Sequence, residues 1–196
     1  MSEVSLTVST AARMRALGRS LATVLRAGDL VILSGGLGAG KTTLTQGIGD
    51  GLGVRGPITS PTFVIARVHP PLEPVAATGQ LRPALVHADA YRLDSVLELD
   101  DLDLDTDTAA SVTVVEWGEG LAEGLAADRL EITITPDVPI AGDAGCADPV
   151  DGGNAADREP DPDDPTVDLP RMVRISAAGE RWEGIKLPLA SLADRL

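Results

Sequence analysis

Cysteine occurs once in the 196 residues, at Cys146. A lone thiol cannot close a disulfide within the chain, which excludes a disulfide-stapled scaffold and fits a reducing cytoplasm. Aromatic side chains are almost as scarce, with only Phe63, Tyr91, Trp117 and Trp182. The core must be built from Val, Leu, Ile and Ala, and 43% hydrophobic residues is enough for one. No apolar run approaches the ~20 residues of a helical membrane span, so no membrane role is expected. Residues 1–10 have neither a basic nor an apolar stretch, so no secretory leader is expected. Lysine occurs only at positions 41 and 186, beside 14 arginines, which makes each lysine conspicuous.

The net charge is -14, but it is concentrated. Residues 137–168 hold ten acids and one base, and residues 98–107 hold six acids and no base. The remainder is near neutral, so the overall acidity says little about the binding face. It argues against free-standing affinity for nucleic acid, leaving contact through a partner open. The length suits a single domain over 1–196, at ~100–200 residues per domain. Residues 139–170 are rich in Asp, Pro and Gly without apolar periodicity, and are expected to be a disordered acidic insert.

The apolar spacing predicts an α/β arrangement. Residues 4–8 alternate as a short strand, and Ser9 or Thr10 can cap a helix with Met14, Leu17, Leu21 and Leu25 on one face. Residues 30–33 are continuously apolar, as a strand buried on both faces would be. A glycine-rich loop leads into a helix from Lys41 to Leu52, striped by Leu44, Ile48 and Leu52. Gly47, Gly49 and Gly51 weaken that helix by ~1 kcal/mol each relative to alanine, so packing must hold it. Further strands are expected at 62–68, 84–88, 112–115 and 130–135, with a Pro-rich loop at 70–83 and an acidic helix or loop at 95–105. Residues 171–176 and 182–187 suggest a closing hairpin turning near Ala178–Gly179, and 189–196 a short terminal helix.

Gly35-Gly36-Leu37-Gly38-Ala39-Gly40-Lys41-Thr42 matches G-x-x-x-x-G-K-[ST] between a strand and a helix, the phosphate-loop context. Glycines let backbone N–H groups curl around phosphate oxygens, and the helix N-terminus adds a favourable dipole end. Lys41 would bridge β- and γ-phosphates, and the Thr42 hydroxyl would ligate Mg²⁺. Such a loop needs a carboxylate to hold the metal or position water. Glu116 and Asp89, each following an apolar strand, are the candidates. Trp117 is open between a site residue and a core aromatic. Ser60-Pro61-Thr62 lies where phosphate-loop proteins place a switch segment. His69 and His87 are poorly spaced for a metal pair, and His87 reads as structural rather than catalytic.

These pieces together resemble the bacterial TsaE ATPase family. The resemblance rests on Gly38-Ala39-Gly40-Lys41-Thr42-Thr43 after Leu37, on Ser60-Pro61-Thr62-Phe63, on His87-Ala88-Asp89-Ala90-Tyr91-Arg92 and on Val115-Glu116-Trp117. It covers roughly residues 4–136 and the closing hairpin. It implies a single phosphate-loop NTPase-like domain, with a mixed parallel and antiparallel sheet flanked by helices. It also implies ATP and Mg²⁺ as cofactors and weak ATPase activity alone. TsaB and TsaD are the implied partners, making threonylcarbamoyladenosine next to the tRNA anticodon, with tRNA met only through the complex. ATP hydrolysis would reset that complex rather than drive the transfer. Carried over by position, Lys41 and Thr42 bind phosphate and Mg²⁺, and Glu116 helps hold the metal. Asp89 is a metal or water ligand, and Thr10 sits near the base. The family often has Asp where this chain has Gly36, which bears on loop rigidity and on charge beside the phosphate. The acidic insert and the stretch 70–83 have no counterpart in the resemblance.

Two other readings share the same motif. A small-metabolite kinase needs an acceptor pocket and usually an arginine-bearing lid, whereas the long inserts here are acidic and would repel ATP. A nucleotide-gated assembly subunit would use binding without hydrolysis. Arg55 and Arg67 flank the Ser60–Thr62 segment, but the sequence aims neither at a phosphate.

Overall fold

Leu30 to Leu33 are continuously apolar because the strand they form is covered on both faces. Val31 and Leu33 join one buried cluster, Leu30 and Ile32 another. The computed structural model describes residues 2–61, 65–73, 79, 81–91, 110–137 and 169–189. In chain order they form β1 (Ser2–Val8), α1 (Ala11–Ala22), β2 (Leu30–Gly35), α2 (Lys41–Leu52), β3 (Ala66–His69), β4 (Ala84–Asp89), β5 (Ser111–Glu116), β6 (Arg129–Pro136) and β7 (Arg171–Ala178). A 3-10 turn at Glu180–Trp182 follows.

The strands make a seven-stranded sheet in the order β1-β7-β6-β2-β5-β4-β3. β2 runs parallel to both β5 and β6, and β4 is parallel to β5. The outer pairs β1–β7, β6–β7 and β3–β4 are antiparallel. This is the mixed α/β sheet expected. Among the described residues no helix is long and apolar enough to cross a membrane.

Thr10 is the residue that caps α1, its side-chain oxygen accepting from the Arg13 amide at 3.1 Å. Met14, Leu17 and Leu21 face the core as the spacing predicts, and Leu25, past the helix end, is buried with them. Helix α2 has the predicted bounds, and its glycines have a packing reason. A Cβ at Gly47 would overlap the carbonyl oxygen of Arg15, and one at Gly51 would overlap the Ala22 side chain. The two helices approach backbone to backbone, so the propensity lost at each glycine is returned as close contact.

Two strand expectations are corrected. Within the strand placed at 62–68, β3 covers Ala66 onward and Ile65 is outside it, because Ile65 takes φ of 70° and its N–H turns back to the Pro61 carbonyl at 2.8 Å. Residues 62–64, including Thr62 and Phe63, lie outside the described residues. The hairpin placed at 171–176 and 182–187 does not form. β7 is instead inserted between β1 and β6, and the chain leaves it through Gly179 at φ of 92°. Trp182 then packs into the core, and Arg181 bonds Asp29 at 3.0 and 3.1 Å, with both side chains buried. That ion pair draws the segment across to the turn before β2.

The acidic helix or loop at 95–105, nearly all of the insert at 139–170, and residues 190–196 also lie outside the described residues. The residues flanking the insert are described. Pro136 pairs with Arg171, and the Asp137 amide donates to the Pro170 carbonyl at 2.9 Å, so the chain departs and returns at adjacent points.

Candidate functional site

Parallel strands deliver their C-terminal ends to one edge of the sheet, where open α/β folds place ligands. Three of those ends meet here. β2 runs into the loop Gly36–Gly40, β5 ends on Glu116 and β4 ends on Asp89. Leu33 is in register with Glu116, and Asp89 with Glu116, so the carboxylates emerge on adjoining strands beside the loop.

Gly40 caps α2 at φ of 104°, a conformation that favours glycine, and it offers no side-chain cap to the first-turn amides. The N–H groups of that turn have no intrahelical acceptor, which leaves an uncapped positive helix end at the loop. The Lys41 ammonium turns into the loop and donates to the carbonyls of Gly35 at 2.8 Å and Gly36 at 2.9 Å. It also lies 3.6 Å from the centre of the Trp117 ring. Burial pushes the Lys41 pKa below the usual lysine value, against the opposing pull of the Glu116 and Asp89 carboxylates.

Thr42 donates to both Glu116 oxygens, at 2.9 and 3.1 Å. Glu116 is 2% exposed, so a carboxylate is held almost out of water and must be satisfied by such partners. Asp89, also buried, accepts from the Tyr91 amide at 2.9 Å and from the Ser60 hydroxyl at 3.4 Å. Lys41, Thr42, Glu116 and Asp89 are thus brought together, with Ser60 at the rim. Among the described residues no group of three His, Cys, Asp or Glu side chains could hold a metal by itself. A hard divalent cation here would take the Thr42 hydroxyl, the Glu116 carboxylate and further oxygens from a phosphate or water, a set that suits Mg²⁺.

Trp117 is not a core aromatic. It belongs to neither buried cluster, and it takes φ of 60°, an outlier for a bulky side chain. Its N–H bonds the Leu33 carbonyl at 2.8 Å, and its ring lies 5.1 Å from that of Tyr91. Strain of this kind costs about 1–3 kcal/mol and persists where the surroundings impose it. Here it turns the chain sharply just after Glu116.

A cavity of about 250 Å³ adjoins the loop. Thr10, Met14, Gly38, Gly40, Thr43 and Arg171 are among its walls, so the start of α1, the loop and the start of β7 enclose it together. Ala39 lines it too, whereas Leu37 is 97% exposed and contributes only backbone to the loop. Arg171 donates to the carbonyls of Leu169 and, at 3.4 Å, of Gly38. No sequence signal marks Arg171, since it follows a low-complexity stretch at no motif spacing. Arg55 and Arg67 point elsewhere, to the Leu72 carbonyl at 3.0 Å and the Thr59 hydroxyl at 3.3 Å. At Gly36 a Cβ would meet nothing within 4 Å, so the aspartate common in the resembled family would fit.

Comparisons with known proteins agree with this arrangement. The family model for the threonylcarbamoyl adenosine biosynthesis protein TsaE matches residues 8–139. A Streptomyces coelicolor protein, tRNA threonylcarbamoyladenosine biosynthesis protein TsaE, is 52% identical over 170 residues, covering 86% of this chain and 93% of its own length. The Bacillus subtilis protein of that name is 37% identical over 121 residues, covering 61% of this chain and 70% of its own. The crystal structure of Bacillus subtilis YdiB superposes with a TM-score of 0.60 at 25% identity, covering 98% of this chain and 95% of that one. With the matched span reaching from the end of β1 past β6 and taking in the loop, both carboxylates and Trp117, the chain belongs to the TsaE family of threonylcarbamoyl adenosine biosynthesis proteins.

Proposed function

We propose that this chain binds ATP with Mg²⁺ and hydrolyses it slowly on its own. In this reading it works in the cytoplasm with TsaB and TsaD in threonylcarbamoyladenosine formation next to the tRNA anticodon. It meets tRNA only through them. The observation that carries the reading is the bond from Thr42 to both oxygens of Glu116 at the mouth of an uncapped helix. Hydroxyl and carboxylate already converge on the place where a phosphate-bound cation is expected.

The geometry and the family resemblance support the following roles. Lys41 exchanges the Gly35 and Gly36 carbonyls for β- and γ-phosphate oxygens, and the first-turn amides of α2 face the same phosphates. Thr42 and Glu116 hold Mg²⁺, which when bound neutralises charge on the phosphates. Asp89 orients water at the γ-phosphate or completes the metal's ligands, with Ser60, Pro61 and Thr62 as the segment that senses it. The cavity beside Gly38–Gly40 and Thr43 takes the nucleoside, with Thr10 near the base. Arg55 and Arg67 are bonded elsewhere; in this reading a partner supplies the cation that speeds hydrolysis by ~10³–10⁵.

Calorimetry of the purified chain with ATP and Mg²⁺, beside Lys41→Ala, tests binding. ATP turnover alone and with TsaB and TsaD tests the rest. Binding lost in Lys41→Ala and turnover raised by the partners is expected. Fast turnover indifferent to the partners, or ATP consumed in step with a small acceptor, would replace this reading with a free-standing ATPase or kinase.

A further inference from the structure

Glu116 has another partner that the roles above do not use. His87 Nε2 lies 2.8 Å from Glu116 Oε1, and the imidazole is completely buried. The placement is a consequence of sheet register. Asp89 is opposite Glu116 and His87 is opposite Val114, so His87 and Glu116 are diagonal neighbours on adjoining parallel strands. The other ring nitrogen, Nδ1, is buried without a partner among the described residues.

For a neutral ring these contacts favour one tautomer. A neutral imidazole carries one N–H and one bare lone pair. With the proton on Nε2, the carboxylate receives a donor and Nδ1 is a bare acceptor. With the proton on Nδ1, a lone pair would face a carboxylate oxygen at 2.8 Å, and a buried N–H would go unsatisfied. Thr42 reaches Glu116 from the loop side and His87 from the sheet side, so the carboxylate is fixed between two donors.

We propose that His87 is a positioning residue, whose Nε2–H holds the Glu116 carboxylate facing Thr42 and so shapes the seat of the divalent cation. This rests on the reading of Thr42 and Glu116 as cation ligands. It assigns His87 a role beyond filling space in β4: an apolar side chain of similar size would pack there and leave Glu116 a donor short. Partners that orient a metal's ligands carry about 10–100-fold of its affinity.

Two measurements on the full chain decide it. Nitrogen NMR of the His87 imidazole, with no nucleotide present, reports the tautomer, and the Nε2–H form is expected. The second is the Mg²⁺ concentration giving half its effect on ATP affinity, by calorimetry, for wild type, His87→Leu and His87→Gln. The leucine variant should need about tenfold more Mg²⁺. ATP affinity in excess chelator should change far less. Glutamine, which can place an N–H near the Nε2 position, should recover most of the loss. An Nδ1–H tautomer, a wild-type Mg²⁺ requirement in the leucine variant, or a glutamine variant no better than leucine overturns the proposal. If the leucine variant does not fold, the tautomer and the glutamine variant still decide it. Wild type that fails to bind ATP at any Mg²⁺ concentration would overturn the nucleotide reading itself, a result distinct from variants that bind ATP alike.

Discussion

The Thr42 hydroxyl bonds both oxygens of the Glu116 carboxylate across 74 residues of sequence, at 2.9 and 3.1 Å. Removing either end should leave the other poorly oriented for a cation. Thr42→Ala and Glu116→Ala should each raise the Mg²⁺ needed for activity by about tenfold or more, since a ligand is worth at least as much as its supporting partners. Glu116→Ala should keep most of its nucleotide affinity when Mg²⁺ is chelated. A Mg²⁺ titration of turnover that overlays the wild type would remove Glu116 from the site.

Lys41 gives the site a pH limit. Burial lowers its pKa, with the Glu116 and Asp89 carboxylates opposing the shift. Only the ammonium form attracts phosphate, so ATP affinity should fall as pH rises through that lowered value. The fall should begin below the usual lysine range and be missing in Lys41→Gln, whose affinity is weak throughout. Dissociation constants measured from neutral pH upward would refute this if wild-type affinity held level into the ordinary lysine range.

Arg171 should bear on nucleotide affinity without touching the metal. It lines the cavity and reaches the Gly38 carbonyl at 3.4 Å. A charged hydrogen bond is worth ~1.5–3 kcal/mol when sheltered. Exposure cuts that to about 1 kcal/mol, or about fivefold in affinity. Arg171→Ala should weaken ATP binding by about that factor and leave the Mg²⁺ midpoint in place. Equal affinities for the two proteins would show that Arg171 serves only to tie the loop to β7.

His69 should make the fold sensitive to mild acid. It is buried, with Nδ1 3.3 Å from the Arg55 carbonyl and Nε2 lacking a partner among the described residues. Burial lowers its pKa below 6.5, the Arg55 carbonyl opposes this, and nearby His87 and Arg67 add to it. The unfolded chain therefore takes up a proton first as pH falls. His69's contribution is full above 6.5 and is lost as pH drops through the folded value. Urea midpoints of wild type should decline over that window, and His69→Gln should flatten the decline. Parallel curves for the two proteins would exclude His69 as the source.

Two glycines should respond differently to a side chain. Gly47→Ala puts a methyl group onto the Arg15 carbonyl between α1 and α2, where overpacking costs about 1–3 kcal/mol. Gly36→Asp meets open space, so stability should stay within about 0.5 kcal/mol. Thermal melts of both variants check the pair. A destabilised Gly36→Asp, or a Gly47→Ala as stable as wild type, would contradict the packing described.

The site was legible in the sequence where chemistry constrains residue type. A phosphate loop requires Gly40, Lys41 and a hydroxyl residue such as Thr42, and an acid after an apolar strand marks a sheet's C-terminal edge. The fold was legible where burial is two-sided, as in β2, or strictly alternating, as in β6. What stayed hidden depends on contacts distant in sequence. Residues 182–187 carry strand-like composition, but the Arg181–Asp29 pair and the burial of Trp182 draw that segment out of the sheet. The strand expected across 62–68 is interrupted at Ile65 by its positive φ. His87 looked merely structural because its partner is set by register, and Arg171 stands beside Gly38 only because β7 lies next to β6.

The insertion of β7 between β1 and β6 sets an order of assembly on the ribosome. β1 is synthesised first, yet the strand it pairs with is β7, more than 160 residues later in the chain. The phosphate loop, α2 and the strands β2, β4, β5 and β6 can associate while β7 is still unmade. The cavity beside the loop cannot close, because its walls include both Thr10 and Arg171. A nascent chain stalled before residue 171 would hold the phosphate-binding half of the site and lack the other half. Nucleotide would then favour the chain once β7 is in place, and its stabilising effect would appear when that strand emerges.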